Sequence, residues 1–408
     1  MIQLRKYQNN IAIQAAYKLV AFGCCYLSME CRTGKTITAL SAADNFDAQS
    51  VLFITKLKAI PSIRADYEAL KPVNFQLDVI NYESAHKAKG KYDLVIIDEA
   101  HSLGAYPKPS KRTHEIKTIC EGLPVLYLSG TPSPESYSQL YHQFWVCSSS
   151  PWKEYKTFYK WAKVYVNVKQ KKVNGYFIND YSHADKAKID RDTKDLFISY
   201  SQEQAGFEVN INEHILSVPM NERTGRYIKS MRDNLMVEID GNAILGDTPA
   251  KLLTKLHQLS SGTVIAENGL HLTFDKSKAE FVRKQFAGKK VALFYVYQSE
   301  AELLQSVFQN WTDSPEVFQL STDKVFISQV RRAREGVRLD TADALIFFNL
   351  EFSFLSYEQG RNRLVSKERT APVDVYFLCS DCGIESKILD AVHGKQDFTL
   401  SWFNKKAR

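Results

Sequence analysis

Short, wholly apolar runs recur along the chain, and between them the apolar residues return every three or four positions. Val51-Leu52-Phe53-Ile54, Leu94-Val95-Ile96-Ile97 and Val125-Leu126-Tyr127-Leu128 show no polar alternation, the pattern of strands covered on both faces of a parallel sheet. Amphipathic stretches follow each run, so strands alternating with helices are predicted. The rhythm stops near Ser148-Ser149-Ser150-Pro151 and resumes with Val291 to Tyr295, Val325 to Ile327, Ala344 to Phe348 and Val373 to Leu378. Two α/β lobes, 1–150 and 276–408, are expected to flank a different middle, 151–275.

That middle opens with Trp152, Tyr155, Phe158, Tyr159, Trp161 and Tyr165 interleaved with Lys153, Lys156, Lys160, Lys163, Lys169, Lys171 and Lys172. A nucleic-acid surface is one reading. The helical spacing of Trp152, Tyr155 and Tyr159 favours a core-facing stripe with solvated lysines. From Glu222 to Leu259 the period is again helical, with Tyr227, Met231 and Leu235 at four-residue intervals. A mainly helical insertion is predicted, with no long segment suited to act as a strand-separating wedge.

Chemistry gathers at two strand ends. Gly34-Lys35-Thr36 follows the strand-like run Cys24 to Met29; a Gly-Lys-Thr turn opening a helix offers backbone N–H groups and an ammonium to phosphates, and a hydroxyl to Mg²⁺. A full phosphate-loop pattern has glycine five residues before Gly34, where this chain has Met29. Asp98-Glu99-Ala100-His101 follows Leu94 to Ile97, and two adjacent carboxylates can hold a hydrated metal and take a proton from water. The pair, in this order, predicts hydrolysis of a nucleoside triphosphate.

Composition adds bounds. The 408 residues suit two domains, and 44% hydrophobic with 24% charged residues describes a folded chain. A formal charge of +7 suits a polyanionic partner without specifying one. No run reaches the roughly 18 apolar residues of a membrane span, and seven scattered cysteines agree with a reducing compartment. An intracellular protein is expected, in a bacterial or phage-infected cytoplasm, with the nucleus left open. Cys379-Ser380-Asp381-Cys382 supplies only half of a zinc ligand set.

The motifs together resemble the superfamily 2 DEAH-box helicases and translocases, within them the Swi/Snf-like group and its compact phage-type members. Leu4-Arg5-Lys6-Tyr7-Gln8 is similar to the adenine-reading motif, Arg32 to Thr36 to motif I, Asn81-Tyr82-Glu83 to a DNA-contact motif, Asp98 to His101 to motif II and Ser129-Gly130-Thr131-Pro132 to motif III. Further on, Leu293-Phe294-Tyr295 resembles motif IV, Ala333 to Leu339 with Ala342-Asp343 motif V, Tyr357 to Arg363 motif VI, and Gly383 to Leu389 the closing helix. The resemblance implies two RecA-like parallel-sheet lobes with ATP in the cleft between them. It implies nucleotide contacts from Gln8, Arg32, Thr33, Gly34, Lys35, Thr36, Asp98 and Gly336, with Mg²⁺ on Thr36 and Asp98. Catalysis would fall to Glu99, Lys35, Arg361 and Arg363, and coupling to His101, Ser129, Thr131 and Gln359. Asn81, Tyr82, Lys111 and Arg112 would meet nucleic acid; the last two belong to the basic loop after motif II. In motif VI the register places Arg363 in one arginine role and Ser366 in the other, which leaves Arg361 or Arg369 for the vacancy.

The expected activity is an ATP-dependent translocase or helicase on DNA, duplex favoured, with a nuclease or a replication or recombination protein as partner and no membrane. Its rivals are an RNA-stimulated helicase and an ATP-switched DNA-binding module.

Overall fold

The computed structural model describes residues 3–88, 90–173, 176–206, 210–333, 337–366, 369 and 371–394. Its contacts divide the chain into two units, Met1–Phe207 and Glu208–Arg408.

In the first unit the chain runs α1 (Lys6–Phe22), β1 (Cys24–Met29), α2 (Lys35–Asn45), β2 (Ser50–Thr55), α3 (Ile60–Leu70), β3 (Gln76–Asn81), β4 (Leu94–Asp98), α4 (Lys111–Ile119) and β5 (Val125–Leu128). It continues through α5 (Gln139–Trp145), α6 (Phe158–Tyr165), the hairpin β6 (Lys169–Val173) and β7 (Tyr176–Asp180), α7 (Lys186–Thr193) and β8 (Phe197–Tyr200). Six strands form one parallel sheet in the order β3-β2-β4-β5-β1-β8. The three apolar runs are β2, β4 and β5, and nearly all their side chains are buried because helices cover both faces of the sheet.

Two cores result. On one face α1 and α2 pack Ile11, Ala15, Leu19, Leu40 and Ala43 onto Leu27, Phe53 and Ile96. On the other an aromatic core joins Tyr26, Tyr127 and Phe144 to Trp152, Phe158, Trp161 and Tyr165. Trp152 and Trp161 are almost fully buried, which by area alone is worth about 2–3 kcal/mol for each such side chain. Of the expected stripe Trp152 is core and Tyr155 half-buried, but Tyr159 is 44% exposed: the buried side of α6 is formed by Phe158, Trp161 and Tyr165, and Lys160 and Lys163 are in solvent.

The second unit begins with β9 (Ile211–Val218), α8 (Glu222–Asn234), the ribbon β10 (Met236–Ile239) and β11 (Asn242–Leu245), α9 (Pro249–Leu259) and the ribbon β12 (Thr263–Ile265) and β13 (His271–Thr273). Then follow α10 (Ser277–Gln285), β14 (Val291–Tyr295), α11 (Gln298–Val307), β15 (Trp311–Thr312), α12 (Pro315–Leu320), β16 (Val325–Gln329) and α13 (Val330–Ala333). The described chain ends with β17 (Ala344–Phe347), α14 (Phe354–Arg361), β18 (Val373–Ser380) and α15 (Glu385–His393). Its sheet is also six-stranded and parallel, in the order β15-β16-β14-β17-β18-β9. Two RecA-like lobes are thus present.

The stretch expected to be a mainly helical insertion is shared between the units. It holds α6 to α9, but it also supplies β8 to the first sheet and β9 to the second. In α8 the buried stripe is Thr224, Ile228 and Met231; Leu235 ends the helix at φ 57° and is exposed. Beneath the second sheet Lys278 and Glu385 form a fully buried pair at 2.8 Å, with Ser380 Oγ donating to the other carboxylate oxygen at 2.9 Å. Those extra bonds satisfy oxygens that would otherwise make such a pair costly.

Candidate active site

The first sheet brings two strand ends together. β1 and β4 both pair with β5, so Met29 and Asp98 finish one strand apart on the carboxyl edge, where open α/β sheets carry their ligand sites. After β1 the loop 30–34 reverses through two left-handed residues, Arg32 at φ 64° and Gly34 at φ 83°. A Cβ on Gly34 would fall 2.2 Å from Gln8 Nε2, so both the backbone and the close approach require glycine. Met29, by contrast, is still in the strand, and the position five before Gly34 needs no special backbone here.

Lys35 opens α2, and its Nζ donates to the carbonyls of Met29 at 2.8 Å and Glu30 at 3.3 Å. Its ammonium is thus folded back over the loop. Gly130 lies on the same spot: a Cβ there would stand 3.6 Å from Lys35 Nζ and 3.7 Å from the Cys31 nitrogen. Gln8 is buried beside the loop, its Oε1 accepting from the Arg5 N–H at 2.9 Å and its Nε2 donating to the Thr33 carbonyl at 3.4 Å. Thr33 is buried, its hydroxyl donating to the Glu30 carbonyl at 2.8 Å. Thr36 sits half-buried in the first turn of α2.

Asp98 ends β4. Its Oδ2 accepts from the Thr55 hydroxyl at 2.8 Å and its Oδ1 from the Glu99 N–H at 3.0 Å. Burial, then the charge of Glu99, push its carboxyl up to about 6, against the opposing pull of Thr55 and Lys35. A cation beside it would relieve that cost. The candidate donors, the Asp98 carboxylate and the Thr36 hydroxyl in the first turn of α2, are hard oxygen and fit Mg²⁺, which typically takes one or two protein carboxylates and leaves the rest to phosphates and water. Among the described residues no group of three or more His, Cys, Asp or Glu gathers that could hold a metal alone, Cys379 and Cys382 included.

Glu99 adopts a left-handed backbone at φ 50°, a conformation that stores strain in a residue with a Cβ. Its Oε2 lies 3.3 Å from His101 Nδ1, which lies 2.9 Å from Ser129 Oγ. Ser129 Oγ also accepts the Thr131 N–H at 3.1 Å. Glu99, His101, Ser129 and Thr131 therefore form one contiguous chain of polar contacts. Gln143 secures its far end, donating to the Pro132 carbonyl at 2.8 Å and accepting from Tyr26 OH at 2.7 Å.

The remaining expected residues are dispersed. Asn81 ends β3 half-buried. Tyr82 is 1% exposed, its OH donating to the Asp98 carbonyl; its ring supports the carboxylate strand and presents no surface to a ligand. Arg112 stacks over that ring at 4.9 Å and pairs with Glu83 at 2.7 Å, whereas Lys111 extends into solvent with its nearest carboxylate, Glu115, at 3.9 Å. In the second unit Arg361 bonds Glu213 and Glu358, each at 3.0 Å. Arg363 is buried with Nε on the Gln359 carbonyl at 2.9 Å, and Gln359 is itself buried. Arg369 donates to the carbonyls of Asp340 and Ala342. Gly336, with Arg334 and Glu335, lies outside the described residues.

Several supports are invisible to motif reading. Tyr7 stacks on Tyr200 at 4.5 Å and donates to the Thr33 carbonyl at 2.9 Å. Just after β8, Gln202 donates from its backbone to Glu30 Oε2 at 2.7 Å and from its side chain to the Cys31 carbonyl at 2.9 Å. Thr55 at the end of β2 is another. Only position, directly after an apolar run, could have suggested Thr55; nothing local marks Tyr200 or Gln202.

No family model and no curated protein matches the chain. Among solved structures it is similar to the Sulfolobus solfataricus SWI2/SNF2 ATPase core domain, with 14% identity across 97% of this chain and 89% of that one and a TM-score of 0.43.

Proposed function

We propose that the chain is an ATPase whose turnover drives movement along nucleic acid, with duplex DNA the favoured track. The observation that carries this reading is the convergence at one sheet edge of the Gly34-Lys35-Thr36 loop, the Asp98-Glu99 pair and the Glu99-His101-Ser129-Thr131 chain. Lys35 and the first-turn N–H groups of α2 bind the β and γ phosphates. Gln8 reads the base. Thr36 and Asp98 hold Mg²⁺, which when bound neutralises phosphate charge. Glu99 orients the attacking water and accepts its proton.

The contact chain from Glu99 to Thr131 supports a coupling role, because a shift of Glu99 on nucleotide binding reaches Thr131 through His101 and Ser129 with no gap. Coupling is also assigned to Gln359. Of the arginines, Arg361 is already matched by two carboxylates. Charge on the transferred phosphoryl group is assigned to Arg363 or Arg361. Asn81, Lys111 and Arg112 are assigned to the nucleic-acid backbone, and Gly336 to the nucleotide. A nuclease or a replication or recombination protein would suit such a motor as partner.

Steady-state ATP turnover with duplex DNA, single-stranded DNA and RNA at one salt concentration tests this. Stimulation by DNA above RNA is expected. Stimulation by RNA alone selects the RNA helicase, nucleic-acid binding without sustained turnover selects the switched module, and absence of any ATP hydrolysis overturns the proposal.

A further inference from the structure

The loop 30–34 is held from outside by a stretch of chain far from it in sequence. β8 pairs with β1 as far as Met29 opposite Tyr200, and the pairing runs one bond further, the Glu30 N–H donating to the Tyr200 carbonyl at 3.0 Å. The chain then turns over 202–206. Gln202 donates its backbone N–H to Glu30 Oε2 at 2.7 Å and its side-chain amide to the Cys31 carbonyl at 2.9 Å, across 171 residues of sequence. Tyr200 stacks on Tyr7 at 4.5 Å, and Tyr7 OH donates to the Thr33 carbonyl at 2.9 Å. Glu30, Cys31 and Thr33 are each held in this way.

The turn that does the holding is itself stiff. The Ser201 N–H donates to Gln204 Oε1 at 2.8 Å and the Gln204 N–H to Ser201 Oγ at 3.1 Å, the reciprocal arrangement that also closes helix starts. Tyr200 OH adds a bond to the Gln204 carbonyl at 2.8 Å. One of the bonds to the loop governs its course. A peptide group is planar, so fixing the Cys31 carbonyl fixes the whole Cys31–Arg32 unit, and that unit leads into the left-handed Arg32 at φ 64°. A residue with a Cβ keeps such a backbone only where its surroundings impose it. Later in the loop packing imposes the shape, since Thr33 is buried and Gly34 is closed in by Gln8. At its start Glu30 is exposed and Cys31 half-buried, and there the constraint falls to Gln202.

We propose that Gln202 is a positioning residue for the nucleotide: its amide on the Cys31 carbonyl keeps the loop in the conformation that receives the β and γ phosphates. The identity of the ligand rests on the preceding functional reading; the positioning role comes from the bonds to Glu30 and Cys31. Gln202 acts through the loop and makes no contact with the nucleotide. Without its amide the Cys31–Arg32 peptide can turn over and relieve the left-handed backbone at Arg32. Only a fraction of the molecules then carries the competent loop, and apparent affinity falls by that fraction.

The test uses the full chain with Gln202→Ala and with Gln202→Met, which keeps the length of the side chain but cannot donate. In anisotropy titrations with a fluorescent ATP analogue both variants should bind roughly fivefold more weakly, the size expected for one hydrogen bond. In steady-state hydrolysis KM for ATP should rise by a similar factor while kcat changes by less than about twofold, because excess ATP draws the loop back to its competent shape. The melting temperature without nucleotide should stay near that of the wild type, the lost bond being offset by relief at Arg32. Wild-type affinity in Gln202→Ala overturns the proposal, and wild-type affinity in Gln202→Met does so too by showing that bulk suffices. A kcat that falls with KM unchanged, or a melting temperature that falls together with affinity, also overturns it. ATP turnover in the wild type with unaltered affinity in both variants removes this inference and leaves the functional reading standing. A chain that binds ATP with these losses yet hydrolyses none does the reverse.

Discussion

Lys35 reaches back to two carbonyls of its own loop, partners that phosphate oxygens would replace in the proposed site. Lys35→Ala should nearly abolish ATP turnover while leaving the fold intact, as read by steady-state hydrolysis and circular dichroism. Glu99→Gln keeps shape and removes the proposed base; fluorescent-ATP binding should persist while turnover falls by roughly 10²–10⁴-fold. Loss of binding with normal hydrolysis of what is bound would reverse the roles of Asp98 and Glu99. A pH dependence belongs to two buried histidines. Burial pushes His257 down to about 3 and His142 down to about 4, each against a weaker opposing hydrogen bond. Both are neutral in the folded protein, whereas in the unfolded chain they bind protons below about 6.5. Stability should therefore fall as pH drops below about 6.5, by about 1.4 kcal/mol per pH unit for each histidine until its folded pKa is reached. His257→Leu should flatten the dependence of the urea midpoint on pH between 7 and 5; an unchanged slope would show that His257 does not carry it.

The loop before α2 turns on one glycine whose requirement has two parts, and a neighbouring case separates them. Gly34→Ala meets a left-handed backbone and a contact with Gln8, while Gly122→Ala at φ 74° meets nothing within 4 Å. Gly122→Ala should cost about 1–2 kcal/mol by thermal melting; Gly34→Ala should cost more and also weaken nucleotide binding. Equal costs with intact binding would show that Gln8 simply moves aside. The two elements flanking this loop, β1 and α2, were legible because one is apolar at five of its six positions and the other opens on Gly-Lys-Thr. The aromatic core of the middle segment was legible in kind but not in register, since Trp152 is buried as expected whereas Tyr159 is exposed and Phe158, Trp161 and Tyr165 form the buried side of α6. The edges were not. β8 and β9 are half-exposed border strands whose burial alternates irregularly, and in the β6–β7 ribbon none of Lys169, Gln170, Phe177, Ile178 and Asn179, among the described side chains, is buried to impose a period. Motif reading found Tyr82 but could not tell that its ring faces inward, because burial there depends on Asp98, sixteen residues away.

Each unit has its own six-stranded sheet and cores. Residues 1–207 expressed alone should therefore unfold cooperatively in urea and bind nucleotide, and failure of either would show that the division at 207 cuts a necessary contact. Stimulation by DNA should weaken steeply as salt rises, because lysine contacts to phosphates release counterions; Lys111→Ala should raise the DNA concentration needed for half-maximal turnover, and an unchanged value would leave Lys111 a solvated cation. The strand order also sets a schedule for synthesis. β1 is an interior strand that needs β5 on one side and β8 on the other, and its partner in β8 for Tyr26 is Phe197. The strand leading into the Gly34 loop thus stays a bare edge on the ribosome until nearly 200 residues have been made, although its own segment emerges among the first. β9 waits comparably for β18, with Ile211 opposite Val373. Such long-range closures are slow and leave strands open to mispairing, so a nascent chain stalled between 130 and 196 should be the form most dependent on chaperones.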